Sequence, residues 1–583
     1  MNKLQYDHKD LPTSHKIRMP QAFMQYAAGA MVEFSDRTLL TAAPYTWDYG
    51  DEGEERIIED SRFAKALKVE VFVVPARVKY VQFPQWYFCP ICRRFQPIDA
   101  WQREAEELES GGGNLYRSRR RRPGQSTKPH KAFSPHCSRR ECRSRMLIPS
   151  RVVVACPRGH IDDFPWVKWV HYRNIGGPQP ICCEHPVLKF ESGGGGTESG
   201  EDIRIICTHC QAIATLRGAF AASAFSQINK EEGSPLFTCT GRLPDFGSSN
   251  VCHETPRALV RGASALYFPM LRSSLVISSQ LNSLEPDIDD LAYRFEEYQA
   301  LCSADPEDED QKFSCILASP IEEYKGLEKL HLSQVELIDQ LCIVRVFLGY
   351  SRIRPVARRD EEGFVHSRLP QDKTYPAYEA YGEGIFLRFS EEALKKWVEL
   401  TPRAVERAAL VERNRQRSLF ADDRHEVVSA KFLLLHTLAH LLIRELSLVS
   451  GYNVAEIAER IYCADREANN CEFDMAGILI YVAGGDAEGT LGGLIRQGRV
   501  DTLPQIFQRA LQRAEYCSND PLCGESQGQG QDGQNLAACH ACSLLPETSC
   551  EEFNAFLDRG VVVGTLQEPD IGFFGGKWEH SEQ

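Results

Sequence analysis

Cys89-Pro-Ile-Cys92 sets two thiols three residues apart, so that one tight turn can aim both at a single ion while its amides donate to sulfur. Cys137 and Cys142 supply the second pair downstream, across a basic, glycine-bearing insertion. We read Cys89, Cys92, Cys137 and Cys142 as one four-thiolate site, with His136 as an alternative ligand. Cys207-Thr-His-Cys210 repeats the spacing, and the next cysteines, Cys239 and Cys252, lie in stretches rich in Gly, Pro and Ser. Cys207, Cys210, Cys239 and Cys252 are therefore expected to form a second site, with His209 and His253 as rival ligands. Near the C-terminus, Cys517, Cys523, Cys539 and Cys542 can close a third across a Gly/Gln-rich spacer, and Cys550 is near enough to replace one member. Two to three structural Zn2+ sites follow, because zinc suits tetrahedral thiolate sets. Cys156-Pro-Arg-Gly-His160, followed by Cys182, Cys183 and His185, could make a fourth cluster but has no regular second half, and the reading preferred is packed thiols with a hydrogen-bonded histidine.

Hydrolytic chemistry would use the same residue types. His436-Thr-Leu-Ala-His440 puts two imidazoles on one helical face, as in zinc hydrolases, but Thr437 stands where the general-base Glu belongs. We read them as core histidines. Asp162 and Asp163 are adjacent, and neighbours on a strand point to opposite faces. The glycine cluster Gly484–Gly493 lacks the lysine of a phosphate loop, and Gly575-Gly-Lys577 is followed by Trp578. No catalytic residue and no ATP motor are assigned. The alternative is a metal-dependent hydrolase or nuclease acting on DNA through Cys156, His160 and Asp162. Ligand counting separates the two readings, since a structural zinc is closed by four protein ligands and a catalytic one keeps a place for water.

A formal net charge of -14 argues against nonspecific polyanion binding, yet positive charge is concentrated locally. Arg117, Arg119, Arg120, Arg121 and Arg122, followed by Arg139, Arg140 and Arg143, surround the first expected zinc site and could neutralise DNA phosphates. A solvated loop explains the run equally well. Trp86, Tyr87, Phe88 and Trp101 nearby are either base-stacking or core residues.

These sites need a scaffold larger than one core. The chain has 583 residues, 43% of them hydrophobic, which implies several globular units. Short β-branched runs, loops and two zinc sites mark residues 1–285; a mixed, mainly helical connector is expected over 286–425; residues 426–583 carry strong helical periodicity over Phe432 to Leu448, stopped by Gly451, and the third zinc site. The fold class is α+β, multidomain and zinc-stapled. Twenty-one cysteines behind an N-terminus with no apolar core fit a reducing compartment, and the apolar runs are short, so a soluble cytoplasmic protein without membrane contact is expected.

Four segments carry a resemblance to a known family: Gln21 to Val32, Gln82-Phe-Pro-Gln-Trp-Tyr-Phe-Cys-Pro-Ile-Cys92, Cys156-Pro-Arg-Gly-His-Ile-Asp-Asp-Phe-Pro-Trp166 and Arg261 to Pro269. They resemble the DrmB family of DISARM antiphage defence components. His436 to His440, Gly489-Thr-Leu-Gly-Gly493 and Ala538 to Cys550 resemble the zinc-bearing domain that ends MrfA-type helicases. The resemblance implies a bacterial defence subunit that associates with the DrmA helicase and helps to engage DNA. It also transfers the C-terminal metal ligands onto Cys517, Cys523, Cys539 and Cys542, across a spacer longer than in the helicases.

Overall fold

The computed structural model describes residues 19–34, 37–50, 56–110, 136–143, 145–182, 186–191, 203–277, 290–304, 312–316, 318–356, 362–369, 374–417, 428–465, 473–484, 491–546 and 548–575. Arg117, Arg119, Arg120, Arg121, Arg122, Cys183 and His185 lie outside them. Helices and antiparallel sheets are both present and the fold is α+β.

Two of the smaller sheets carry most of the N-terminal cysteines. The first has six strands: β1 (Trp86–Phe88), β2 (Arg94–Pro97), β3 (Ile148–Pro149), β6 (Leu188–Glu191), β7 (Arg204–Cys207) and β8 (Ile213–Thr215), in the order β8-β7-β6-β2-β1-β3. The second runs β5-β4-β9, from Ile161–Asp163, Val152–Ala155 and Arg257–Val260. α1 (Ile98–Ser110) and α2 (Trp166–Tyr172) pack on the first. Trp166, Trp169, Phe95 and Phe225 make an aromatic core between them. Tyr87 and Trp101 are buried together, with the Trp101 indole donating to the Tyr87 carbonyl at 3.1 Å, so the aromatic residues beside the first zinc knuckle are core.

The largest sheet described has nine strands, and its central path runs β10 (Phe268–Leu275), β11 (Leu332–Ser351), β12 (Tyr375–Phe389), β14 (Met475–Ala483), β13 (Ile457–Ala464). It takes strands from both sides of residues 285 and 425. Residues 286–425, expected as a mixed, mainly helical connector, carry the helices Asp290–Cys302, Glu391–Leu400 and Pro402–Arg417 and also supply the two longest strands of this sheet, of 20 and 15 residues. Their side chains are buried on both faces, and the two-residue period sorts them. Ile385, Leu387, Ile478 and Ile480 face a core completed by the helix α5 (Ala430–Val449), whereas Phe386, Leu479 and Tyr481 face one completed by α3 (Asp290–Cys302). Each such Leu or Ile contributes roughly 1.5–3 kcal/mol by leaving water.

α5 starts at Ser429, whose hydroxyl accepts from the Phe432 amide at 3.1 Å, and it ends before Gly451, whose φ of 85° needs no Cβ. It is long and apolar enough to cross a membrane, more so than the short apolar runs suggest, but 78% of its most apolar window is buried in this core. α4 (Pro402–Arg417), α6 (Leu503–Ala514) and α7 (Arg559–Val563) pack around it.

Candidate metal centres

The first centre is a turn and a loop brought face to face. Cys89 and Cys92 occupy the β1–β2 turn, where the Cys89 amide donates to the Arg94 carbonyl at 2.9 Å and Arg93 closes the turn at φ 64°. Cys142 ends the 3-10 turn Arg140–Cys142 and Cys137 precedes that turn, and Cys89, Cys92, Cys137 and Cys142 converge, with Cys92 Sγ 3.9 Å from Cys137 Sγ. Burial pushes the Cys137 and Cys142 thiols up; at Cys89 burial also raises the thiol, but hydrogen bonds from the Cys92 and Ile91 amides and the Cys92 and Cys142 side chains together bring it down.

Cys207 and Cys210 form a second knuckle of the same local shape. The amide four residues after the first cysteine donates back to its carbonyl, at 2.9 Å for Arg93 and 3.0 Å for Gln211, and both residues sit at φ 64°. The partners of this knuckle are not those expected. Cys207 and Cys210 are met by Cys182 and by His171 of α2, with Cys182 Sγ to Cys207 Sγ 3.6 Å and His171 Nε2 to Cys210 Sγ 3.4 Å. His171 Nδ1 lies 2.7 Å from the Val167 carbonyl, which fixes the ring so that Nε2 faces the sulfurs.

Cys239 and Cys252 belong instead with Cys156 and His160. The cause is strand pairing: Arg257 opposes Ala155 in the β9–β4 ladder, so the chain entering β9 brings Cys252 beside Cys156, 4.0 Å between sulfurs. Cys156 and His160 bracket the β4–β5 turn, with Sγ 3.3 Å from Nδ1. Gly159 (φ 81°) makes that turn, and Gly363 (φ 102°) lies so close that an added Cβ would fall 2.1 Å from the Pro157 carbonyl oxygen. Asp162 is not a member. It accepts from the Thr240 hydroxyl and the Arg242 guanidinium, both at 2.7 Å, and pins the loop that carries Cys239. Asp163 points the other way, accepting from the Gln85 and Trp86 amides, and burial raises its carboxyl to about 7. His209 and His253 are exposed and join no cluster, and neither does His136.

In the C-terminal region Cys517, Cys523, Cys539 and Cys542 converge. Sulfur separations are 3.5 Å for Cys517–Cys539, 3.7 Å for Cys523–Cys542 and 3.9 Å for Cys539–Cys542. The Asn519 and Cys539 amides donate to sulfur, and Asp520 braces the loop by accepting from the Cys517 and Gly524 amides while pairing with Arg559. The long spacer closes on itself through a Gln529–Asn535 bridge. Cys550 lies outside this group.

The four sets fit zinc by geometry. Zn–S bonds of about 2.3 Å arranged tetrahedrally put sulfurs roughly 3.8 Å apart, and the separations here run from 3.5 to 4.0 Å. No disulfide joins the described cysteines. Each set offers four protein ligands, which is the closed arrangement of a structural ion. The glycine segment is also committed: buried Glu383 accepts from the Gly492 amide at 2.6 Å and the Leu494 amide at 2.7 Å, filling the amide nest with a carboxylate.

Comparison with known proteins agrees with this layout. A family model described as a domain of unknown function (DUF8724) matches residues 18–268, which hold the first three centres. The MrfA Zn-binding domain model matches residues 438–543, ending on the fourth. The DISARM protein DrmB of Bacillus paralicheniformis is 31% identical over 517 residues, covering 76% of this chain and 84% of the relative. The chain belongs to the DrmB family. It is a DISARM antiviral defence component that carries structural zinc sites.

Two pairings are not legible in the sequence. Cys156 with His160 and His171 with Cys182 carry no standard ligand spacing on both halves; the sequence signal is the grouping of Cys156, His160 and Cys182 itself, where metal ligands stand in place of the packed thiols preferred from sequence, and His171 carries none.

Proposed function

We propose that this protein is a non-catalytic, cytoplasmic scaffold subunit that associates with the DrmA helicase and holds DNA jointly with it, without membrane contact. The observation that carries the reading is the closure of all four thiolate-rich centres. Cys89, Cys92, Cys137 and Cys142; Cys156, His160, Cys239 and Cys252; His171, Cys182, Cys207 and Cys210; and Cys517, Cys523, Cys539 and Cys542 each supply a full set of zinc ligands. Such sets rigidify loops and leave no ligand position for hydrolytic water. The rival hydrolase needs Asp162 beside Cys156 and His160, and Asp162 is engaged by Arg242 and Thr240.

For DNA contact, Arg139, Arg140 and Arg143 stand exposed on the loop that carries Cys137 and Cys142. Arg139 pairs loosely with Glu141 at 3.3 Å, and an exposed pair of that kind exchanges readily for phosphate. Zinc would fix the spacing of these arginines, and Arg117, Arg119, Arg120, Arg121 and Arg122 add positive charge to the sequence that precedes them.

The test is co-purification with the helicase, followed by salt-titrated DNA binding and a nuclease assay with added divalent metal. A stable complex that binds DNA more tightly than either subunit supports the scaffold. Metal-dependent cleavage abolished by His160→Ala, or failure of the two subunits to associate, refutes it.

A further inference from the structure

The helix α5 carries His436 and His440 one turn apart, and both are fully buried. Strand β13 brings Glu459 against them, its Oε1 2.9 Å from His436 Nε2 and 3.2 Å from His440 Nε2. The loop after the fourth centre adds Cys550, whose Sγ lies 3.2 Å from His436 Nε2. We propose that His436, His440, Glu459 and Cys550 bind one further divalent transition-metal ion of the zinc class, through two imidazole nitrogens, a carboxylate oxygen and a thiolate.

Hydrogen-bond roles make the case. His436 Nδ1 lies 3.2 Å from the Phe556 carbonyl and His440 Nδ1 2.9 Å from the Ser543 carbonyl. A carbonyl can only accept, so both Nδ1 atoms carry hydrogen, and in neutral rings both Nε2 atoms then present lone pairs. Those lone pairs face a carboxylate oxygen, which is also an acceptor. Acceptors that converge in a buried space need positive charge between them, supplied by added protons or by a metal ion. Oxygen Oε2 of Glu459 is buried without a hydrogen-bond partner, which a metal would also answer. The Glu552 and Asn554 amides both donate to Cys550 Sγ at 3.3 Å, as expected around a metal-bound thiolate.

Charge and size agree. A divalent ion with one carboxylate, one thiolate and two neutral imidazoles is electrically neutral, whereas two imidazolium rings beside one carboxylate would bury an excess positive charge. Zn–N and Zn–O bonds of about 2.0–2.2 Å put tetrahedral N and O ligands roughly 3.3 Å apart, and a Zn–S bond of about 2.3 Å puts N and S roughly 3.5 Å apart, against 2.9 and 3.2 Å for the two N–O pairs and 3.2 Å for the N–S pair here. The mixed N, O and S set selects zinc-like ions over magnesium or calcium. With four protein ligands and no exposure, the ion is structural. It ties α5, β13 and the loop 549–556 into one unit, next to the fourth centre and distinct from it.

The experiment is metal analysis of the purified full chain beside Cys550→Ser and Glu459→Gln, with cadmium-113 NMR of the unaltered cadmium-loaded chain as the readout that needs no variant. Expected are one metal ion fewer in each variant that folds and a cadmium resonance at the position of a single-sulfur site, apart from those of the sites with three and four sulfurs. Equal metal content in folded variants and wild type, or cadmium resonances from thiolate-rich sites alone, would overturn the assignment.

Discussion

Arg460 of β13 grips Glu297 of α3 through two parallel hydrogen bonds, Nε to Oε2 at 2.6 Å and Nη2 to Oε1 at 3.0 Å, with both side chains buried. The same guanidinium reaches Glu551 at 2.8 Å, the residue after Cys550. Arg460 therefore ties the sheet, the helix over its second face and the C-terminal loop together.

Removing it should be costly. Arg460→Leu leaves Glu297 with neutral donors from the Leu275 amide at 3.0 Å and the Tyr462 hydroxyl at 3.1 Å and with the longer 3.4 Å ion pair to Arg62, and breaking one side of a buried pair costs about 3–5 kcal/mol. Urea denaturation of the variant should show a midpoint lowered accordingly. A loss under about 1 kcal/mol would mean that the sheet and α3 hold together by apolar burial alone.

The division of ligands between the second and third centres can be counted. If Cys207, Cys210, Cys239 and Cys252 shared one ion, the double variant Cys210→Ser with Cys252→Ser would lose one zinc. With His171 and Cys182 completing one centre and Cys156 and His160 the other, it should lose two. Elemental analysis of folded protein decides.

Gly363 tests the support of one centre from outside its ligands. An alanine at φ 102° costs about 1–2 kcal/mol in backbone strain, and its Cβ also collides with the Pro157 carbonyl between Cys156 and His160. Gly363→Ala should lower thermal stability and speed zinc release to a chromogenic chelator from this centre. Unchanged release kinetics would show that the turn yields without disturbing its ligands.

The exposed arginines make a prediction about salt. Replacing Arg139, Arg140 and Arg143 together with glutamine should weaken DNA binding by the complex and flatten the plot of log affinity against log salt, by roughly 0.9 in slope for each duplex phosphate that is no longer neutralised. An unaltered slope would place the DNA elsewhere.

The sequence by itself determined much of the chemistry. Thiol knuckles are local: two cysteines three residues apart impose the turn that Arg93 and Gln211 close, so the zinc-binding character was legible from Cys89, Cys92, Cys207 and Cys210 alone. So was the α5 helix, which rests on apolar periodicity and a serine cap. The tertiary structure decided which halves meet. Cys252 reaches Cys156 because β9 pairs with β4 across about a hundred residues, and His171 reaches Cys210 because α2 packs against the β7–β8 hairpin. Such ladders are chosen by the burial of whole faces, which spacing does not encode. His436 and His440 show the same limit. On the helix they are two imidazoles with no general base; only the sheet beneath and the returning loop set Glu459 and Cys550 against them, because a coordination sphere closes in space and not along the chain.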